Sequence, residues 1–139
     1  MTPPPLRVAV AGASGRMGQM LIEAVNTAPD CVLSGTLDIG ADIRASLAKA
    51  QVLIDFTRPE GTLAHLAVCR ELGVSAVIGT TGFSDVQKAQ IAEHARHIAI
   101  VMAPNMSVGV NVVFKLLDMA ARALAGDYDI EIIEAHHRH

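Results

Sequence analysis

A glycine-rich turn near the start of the chain constrains the fold more than any other feature. Gly12, Gly15 and Gly18 recur at every third position between an apolar run at 6–11 and a segment at 15–28 with helical apolar spacing. Glycines at a strand-to-helix turn let the backbone bend tightly and approach a pyrophosphate, which then binds N–H groups at the helix N-terminus. The pattern predicts a dinucleotide-binding βα unit, and the alternative is a plain βα turn whose glycines only serve packing.

Strand and helix patterns continue to alternate along the chain. Further strands are predicted at 31–37, 52–56, 74–78, 98–102 and 127–134, and helices at 42–50, 57–72, 84–96 and 108–125. Thr57 and Glu60 have the spacing of a capping box at the start of the second of these helices. We predict an α/β fold, a Rossmann-like doubly wound parallel sheet over residues 1–126. The last strand alternates apolar and acidic residues, so we expect residues 127–139 to begin a second domain.

Composition and charge narrow the class of protein. The chain is 51% hydrophobic and 3% aromatic, which suits an aliphatic core of buried parallel strands. A net charge of −3 argues against binding to nucleic acid or to an anionic membrane surface. Cys31 and Cys69 lie in apolar runs and are expected to be buried, reduced thiols. No run reaches the ~18 apolar residues of a membrane span, and we expect a cytoplasmic protein.

Asp38 is the first candidate binding residue outside the turn. It follows the second predicted strand, where a carboxylate accepts hydrogen bonds from both hydroxyls of an adenine ribose. The same carboxylate would repel a 2′-phosphate, although Arg16 and Arg44 are available as cationic partners. We therefore predict that NADH binds at least as well as NADPH.

Two later loops and a histidine pair complete the candidates. Two loops, residues 79–82 and 103–107, follow the fourth and fifth strands, at the carboxyl ends where ligands bind in such sheets. We expect these loops to line the nicotinamide half of the cofactor site, and the alternative is that they are ordinary turns. His136 and His137 end the last predicted strand and could transfer a proton, or simply be exposed to solvent. Neighbours on a strand point to opposite faces and chelate poorly, so no metal site is predicted. His65, His94 and His97 are expected on helix surfaces.

Five segments resemble the dihydrodipicolinate reductase (4-hydroxy-tetrahydrodipicolinate reductase) family. They run in the same order along almost the whole chain, and the last is the most specific. The segments are residues 8–18, 54–57, 77–83, 103–111 and 130–139.

The resemblance implies an activity and a set of site residues. The family reduces a cyclic dicarboxylate with NADH or NADPH in lysine and diaminopimelate biosynthesis, using a Rossmann domain followed by an α+β domain that binds substrate and builds a homotetramer. By resemblance, His136 is the proton donor or acceptor and His137 contacts the substrate. The residues implied in cofactor binding are Gly12, Ala13, Ser14, Gly15, Arg16, Met17, Asp38, Gly79, Thr80, Thr81, Ala103, Pro104, Asn105 and Met106.

The chain departs from the family pattern in two places. The family has a catalytic lysine and a Ser-Gly-Thr segment after the histidine cluster, and a longer segment after Asp38. We therefore expect this chain by itself to bind cofactor without turnover. Two alternatives are a non-catalytic dinucleotide-binding module and a Rossmann reductase that acts on a different carbonyl or imine.

Overall fold

The computed structural model describes residues 3–124, 126, 128–133 and 135. The chain folds as two compact units, Met1–Pro104 and Asn105–His139. The predicted division after residue 126 stays a prediction.

The first unit is built on a parallel sheet of five strands. The strands are β1 (Leu6–Ala11), β2 (Cys31–Leu37), β3 (Val52–Asp55), β4 (Ser75–Ile78) and β5 (Ile100–Met102), and their order in the sheet is β2-β1-β3-β4-β5. The helices between them are α1 (Arg16–Thr27), α2 (Ile43–Leu47), α3 (Pro59–Leu72) and α4 (Asp85–His94). Every neighbouring pair of strands is parallel, which confirms the predicted Rossmann-like α/β fold.

The central strand β1 is apolar on both faces because helices cover both faces of the sheet. Val8 and Val10 pack with Val25 of α1 on one side. Ala9 and Ala11 point to the other side, into the larger core cluster that also contains residues of α2, α3 and α4. These four strand residues are at most 2% exposed. The glycine-rich turn thus begins directly after a strand that is buried on both faces.

The start of α3 differs from the prediction. Its N-cap is Arg58, and no side chain caps it. The predicted Thr57–Glu60 capping box is therefore wrong. The Thr57 hydroxyl instead donates to the Asp55 carboxylate, at 2.6 Å. The Asp55 carboxylate is negatively charged and accepts this proton strongly, since charge-assisted hydrogen bonds are about twice as strong as neutral ones.

The two cysteines differ in exposure. Cys69 is fully buried, as predicted, and burial, with a smaller effect from Asp55, raises the pKa of its thiol to about 12. Cys31 is only partly buried, so the prediction of a buried thiol is wrong there. It lies at the first position of β2, the strand at the edge of the sheet, where a neighbour is missing on one side.

The second unit contains α5 (Val108–Leu124), which confirms the long apolar helix expected there. The strand predicted over 127–134 is not formed by residues 128–133, the part of that segment that the structure describes. A strand is held by a ladder of hydrogen bonds to a neighbour, and the described residues provide no such neighbour here. Apolar alternation alone therefore did not make a strand. In the described part of the chain, no helix combines the length and the apolar character needed to cross a bilayer.

Candidate dinucleotide site

The main cleft of the first unit lies where the order of the strands reverses. The chain runs from β1 outward to β2, then returns past β1 to β3. At such a switch point the loops after neighbouring strands separate and leave a crevice at their carboxyl ends. A cleft of about 820 Å³ lies there, lined by residues after β1 (Gly12, Ser14, Gly15), after β2 (Leu37 to Ala41) and after β3 (Phe56 to Arg58).

The glycine-rich turn forms one wall of this cleft. Gly12 has φ +70°, a conformation that favours glycine, and its N–H donates to the Leu37 carbonyl at 2.8 Å. The Ala13 N–H donates to the same carbonyl at 3.2 Å, which ties the turn to the end of β2. Gly18 packs so closely that an added Cβ would lie 2.0 Å from the Gly12 carbonyl oxygen. Gly12 therefore serves the conformation of the turn and Gly18 its close packing, and binding of a dinucleotide by the turn stays a prediction.

The N-terminus of α1 faces this turn without a protein cap. Gly15 is the N-cap and offers no side chain, and the first turn of α1 contains no acidic residue. The first N–H groups of a helix, here those of Arg16 and Met17, have no partner within the helix and attract anions. The end of α1 is therefore suited to a phosphate group. The side chains of Arg16 and Met17 are exposed.

Asp38 reaches across the cleft to the turn. One of its carboxylate oxygens accepts from the Ser14 hydroxyl at 2.9 Å, and both lie 3.2 Å from the Ser14 backbone nitrogen. Asp42 follows closely and caps α2 through the Ala45 N–H. The short loop between β2 and α2 thus holds the Asp38 carboxylate at the cleft, where the sequence placed it.

The cations near Asp38 are arranged differently from the prediction. Arg44, expected to be available for a 2′-phosphate, forms an ion pair with Glu71 of α3. Arg58, which was not among the predicted site residues, lines the cleft at the start of α3. Its position follows from the extended conformation of the residue before Pro59.

A second, smaller pocket of about 290 Å³ forms between the loops after β4 and β5. Thr80, Thr81, Met102 and Pro104 are among its lining residues, so the structure brings together the two loops predicted to lie side by side. The N–H of Ala103 also donates to the Ile78 carbonyl at 3.2 Å. The two threonines differ, because Thr80 is buried and Thr81 is exposed.

Gly79 packs against Phe56, a residue that lines the main cleft. A Cβ at Gly79 would lie 1.9 Å from the Phe56 ring. The absence of a side chain therefore lets the Phe56 ring lie against the loop after β4, while the same ring lines the main cleft. Glycine is required here by this close approach.

A buried carboxylate that was not among the predicted site residues contacts residues lining each of the two pockets. Asp55, at the end of β3, is 1% exposed and accepts from the Thr57 N–H at 3.0 Å. Nδ1 of His65, in α3, lies 2.7 Å from its other oxygen. Burial acts to raise the pKa of Asp55, but the hydrogen bonds from His65 and Thr57 outweigh it and hold the pKa below its usual value.

The same network extends to the loop after β4. The hydroxyl of Thr62 donates to the Thr80 hydroxyl at 3.0 Å, and the Gly79 N–H donates to the Asp55 carbonyl at 2.9 Å. His65 is therefore not the surface residue that was expected, since its side chain is only 13% exposed. The available signal was an aspartate that ends an otherwise apolar strand, which needs a partner once it is buried.

Four of the predicted site residues are not described as part of these two pockets. Asn105 and Met106 belong to the second unit, where the Asn105 side chain accepts from the Ser107 N–H at 2.8 Å. His136 and His137 lie outside the described residues. Within the described part of the chain, no three metal-ligating side chains come together.

Family models identify both parts of the sequence. Residues 6–106 match the model described as dihydrodipicolinate reductase, N-terminus, and residues 109–139 match the one for the C-terminus. The chain belongs to the dihydrodipicolinate reductase family. In this family the N-terminal domain binds NAD(P)H.

Individual relatives agree with the family model. The chain is 56% identical to 4-hydroxy-tetrahydrodipicolinate reductase from Cupriavidus pinatubonensis, over 96% of this chain and 58% of the relative. It is also 56% identical to the enzyme of that name from Aromatoleum aromaticum, over 96% of this chain and 56% of the relative. The chain therefore spans little more than half the length of these relatives. The first match extends over 155 residues, more than the 139 of this chain, so the relative has extra residues within the matched region.

A solved structure has the same fold. Dihydrodipicolinate reductase from Paenisporosarcina sp. TG-14, with dipicolinate bound, superposes with a TM-score of 0.75 at 28% identity. The superposition covers 84% of this chain and 54% of that one.

Proposed function

We propose that this chain is the cofactor-binding part of a 4-hydroxy-tetrahydrodipicolinate reductase. The full-length enzyme would reduce 4-hydroxy-tetrahydrodipicolinate to tetrahydrodipicolinate with NADH or NADPH, in lysine and diaminopimelate biosynthesis. The observation that carries the proposal is the cleft at the strand switch point, where the uncapped N-terminus of α1 and the Asp38 carboxylate face the same space.

The proposed cofactor pose follows from the chemistry of the two walls. The pyrophosphate would bind the N–H groups at the start of α1, where the partial positive charge of the helix is greatest. The adenine ribose would donate at least one of its two hydroxyls to Asp38, replacing the contacts of this carboxylate with Ser14. The nicotinamide would extend toward the pocket between Thr81 and Pro104. The cofactor supplies the hydride, so the protein's task is to bind and orient it.

Asp38 also supports the predicted preference for NADH. A carboxylate accepts hydroxyl donors but repels a 2′-phosphate, and Arg44 is engaged with Glu71. Arg58, which lines the same cleft, and Arg16, which is exposed at the start of α1, are the cations that would favour NADPH. We propose that NADH binds at least as tightly as NADPH.

Fluorescence titrations of this chain with NADH and NADPH test the proposal. We expect saturable binding of NADH, and binding at least roughly tenfold weaker in Asp38→Ala, because hydrogen bonds to a charged group contribute about 1.5–3 kcal/mol. Asp30→Asn is the matched control, since it changes an exposed aspartate just before β2, at the opposite end of the strand from Asp38. Wild-type protein that binds neither cofactor would contradict the assignment, and NADPH binding ten times tighter would contradict the preference.

Proton transfer is proposed for His136, with His137 in contact with the substrate, on the strength of the family resemblance. The test is His136→Ala in a protein of the relatives' full length. We expect a large fall in kcat with NADH affinity unchanged, because the residue would act after the cofactor is bound. A wild-type kcat would show that another group handles the proton.

The whole enzyme is proposed to be a cytoplasmic homotetramer, again from the family. Sedimentation of the full-length protein tests the assembly. A non-catalytic dinucleotide module is the rival proposal: it predicts NADH binding without reduction of the dicarboxylate by that full-length protein.

A further inference from the structure

The His65 ring is fixed at the main cleft by a buried carboxylate. Its Nδ1 lies 2.7 Å from Oδ2 of Asp55, while the ring itself lines the cleft beside Gly61 and Ala64. The other Asp55 oxygen is occupied by the N–H and the hydroxyl of Thr57, at 3.0 and 2.6 Å. The carboxylate is therefore held on both oxygens and does not rotate freely.

This contact determines which ring nitrogen carries the proton. An ionised carboxylate only accepts hydrogen bonds, so the contact requires a proton on Nδ1. In the neutral ring, Nε2 is then an acceptor with an unshared electron pair. The hydrogen bonds that lower the pKa of Asp55 keep that carboxylate ionised near neutral pH.

The remaining nitrogen belongs to a ring that lines the cleft and is 13% exposed. Among the described residues, Asp55 is the one partner of the His65 ring. Nε2 of His65 is not one of the buried atoms without a partner in this part of the chain, so a ligand in the cleft is available as its partner. Nε2 of His65 is thus an oriented acceptor, and the opposite wall of the cleft bears the N–H groups at the start of α1 that are proposed to bind phosphate. This arrangement suits a hydrogen-bond donor on a nucleotide.

We propose that His65 is a further binding residue of the cofactor site and that Asp55 is its positioning residue. Nε2 of His65 accepts a hydrogen bond from the adenosine half of the dinucleotide, from a ribose hydroxyl or the exocyclic amino group. This inference rests on the proposed function, because it requires the dinucleotide to occupy the main cleft.

Substitutions that mimic one ring nitrogen at a time test the contact. His65→Asn puts an amide N–H near the position of Nδ1, so it keeps a partner for Asp55 and removes Nε2. We expect NADH to bind roughly fivefold to tenfold more weakly, the loss of about one hydrogen bond. His97→Asn is the matched control, because His97 lies on the exposed surface after α4, and its affinity for NADH should equal that of the wild type.

Asp55→Asn tests the positioning step. The amide of asparagine donates to Nδ1, which moves the ring proton to Nε2 and turns the cleft-facing atom into a donor. We expect the same loss of NADH affinity as in His65→Asn, and little further loss when the two changes are combined, because both act on one contact. Additive losses would overturn the positioning role.

A nitrogen-15 NMR measurement on wild-type protein does not depend on whether any variant folds. We expect the His65 proton on Nδ1 in the free chain, and a shift of the Nε2 signal when NADH is added. A proton on Nε2, or a signal that NADH leaves unchanged, would overturn the inference. Wild-type protein that binds no NADH would overturn the proposed function and this inference together, whereas normal NADH binding by His65→Asn overturns this inference alone.

A cofactor analogue distinguishes the two donors. Reduced nicotinamide hypoxanthine dinucleotide has a carbonyl in place of the exocyclic amino group. If His65→Asn weakens its binding as much as that of NADH, the donor is a ribose hydroxyl. If the variant and the wild type bind the analogue equally, the donor is the amino group.

Discussion

Replacing Gly18 by alanine tests whether the glycine-rich turn is held by close packing. The added Cβ would lie 2.0 Å from the carbonyl oxygen of Gly12 and 2.8 Å from Cα of Ala13. Both neighbours are backbone atoms, so no side chain can rotate away, and α1 must move by about an ångström to restore ordinary contact distances.

The size of the effect follows from two opposing terms. Alanine inside a helix is favoured over glycine by about 1 kcal/mol. Overpacking costs about 1–3 kcal/mol, and a clash between backbone atoms belongs at the upper end, which leaves a net loss of about 2 kcal/mol. For a domain of this size, a loss of about 2 kcal/mol lowers Tm by roughly 5–10 °C.

Thermal unfolding followed by circular dichroism measures this shift, and NADH titration measures the effect on the site. Because α1 moves away from the turn, NADH binding should weaken along with stability. Gly109→Ala is the matched control: it is also a helical glycine, but its added Cβ would approach only the Ser107 hydroxyl, at an ordinary 3.8 Å. We expect that variant to be at least as stable as the wild type. A Gly18→Ala protein with wild-type Tm would refute the packing argument.

Two further predictions concern titratable groups. The pKa of Asp55 is lower in the folded protein than the ordinary carboxyl value of 3.8, so its ionised form stabilises the fold. This stability is complete above pH 3.8 and is lost as the pH falls from there through the lower folded value, so Asp55→Asn should flatten the acid limb of a plot of unfolding free energy against pH. An unchanged acid limb would show that Asp55 is not protonated during acid unfolding. In folded protein at pH 8, Cys31 should react with a thiol reagent well before Cys69, because burial raises the pKa of the Cys69 thiol to about 12. The absorbance of the released thiolate measures both rates, and equal rates would contradict the burial of Cys69.

Much of the fold was predictable because its signals are local. The turn at Gly12, Gly15 and Gly18 needs only the spacing of small residues between a strand and a helix. The five strands of the sheet were predicted because parallel strands covered on both faces are continuous apolar runs. Asp38 was assigned to the cleft because it directly follows β2, and the end of a strand fixes the position of the next residue.

The predictions that failed depend on which partners the folded chain places beside a residue. The alternation over 127–134 has the period of a strand, but a strand forms only beside a neighbour, and residues 128–133 have none in the described part of the chain. Thr57 has the spacing of a cap, yet its hydroxyl donates to Asp55. The local pattern shows which contacts are possible, and the partners that the fold supplies decide which of them form.

The sequence by itself determined the parallel α/β sheet, the glycine-rich turn and the carboxylate that faces it, since each follows from residue type and local spacing. Only the tertiary structure decided that Asp55 is buried, that His65 of α3 pairs with it, and that Arg44 is committed to Glu71. Those contacts join residues 10 and 27 positions apart on different elements. A pairing of this kind depends on how helices pack on the sheet, because the free energy of burying a charge is set by the partners that packing supplies.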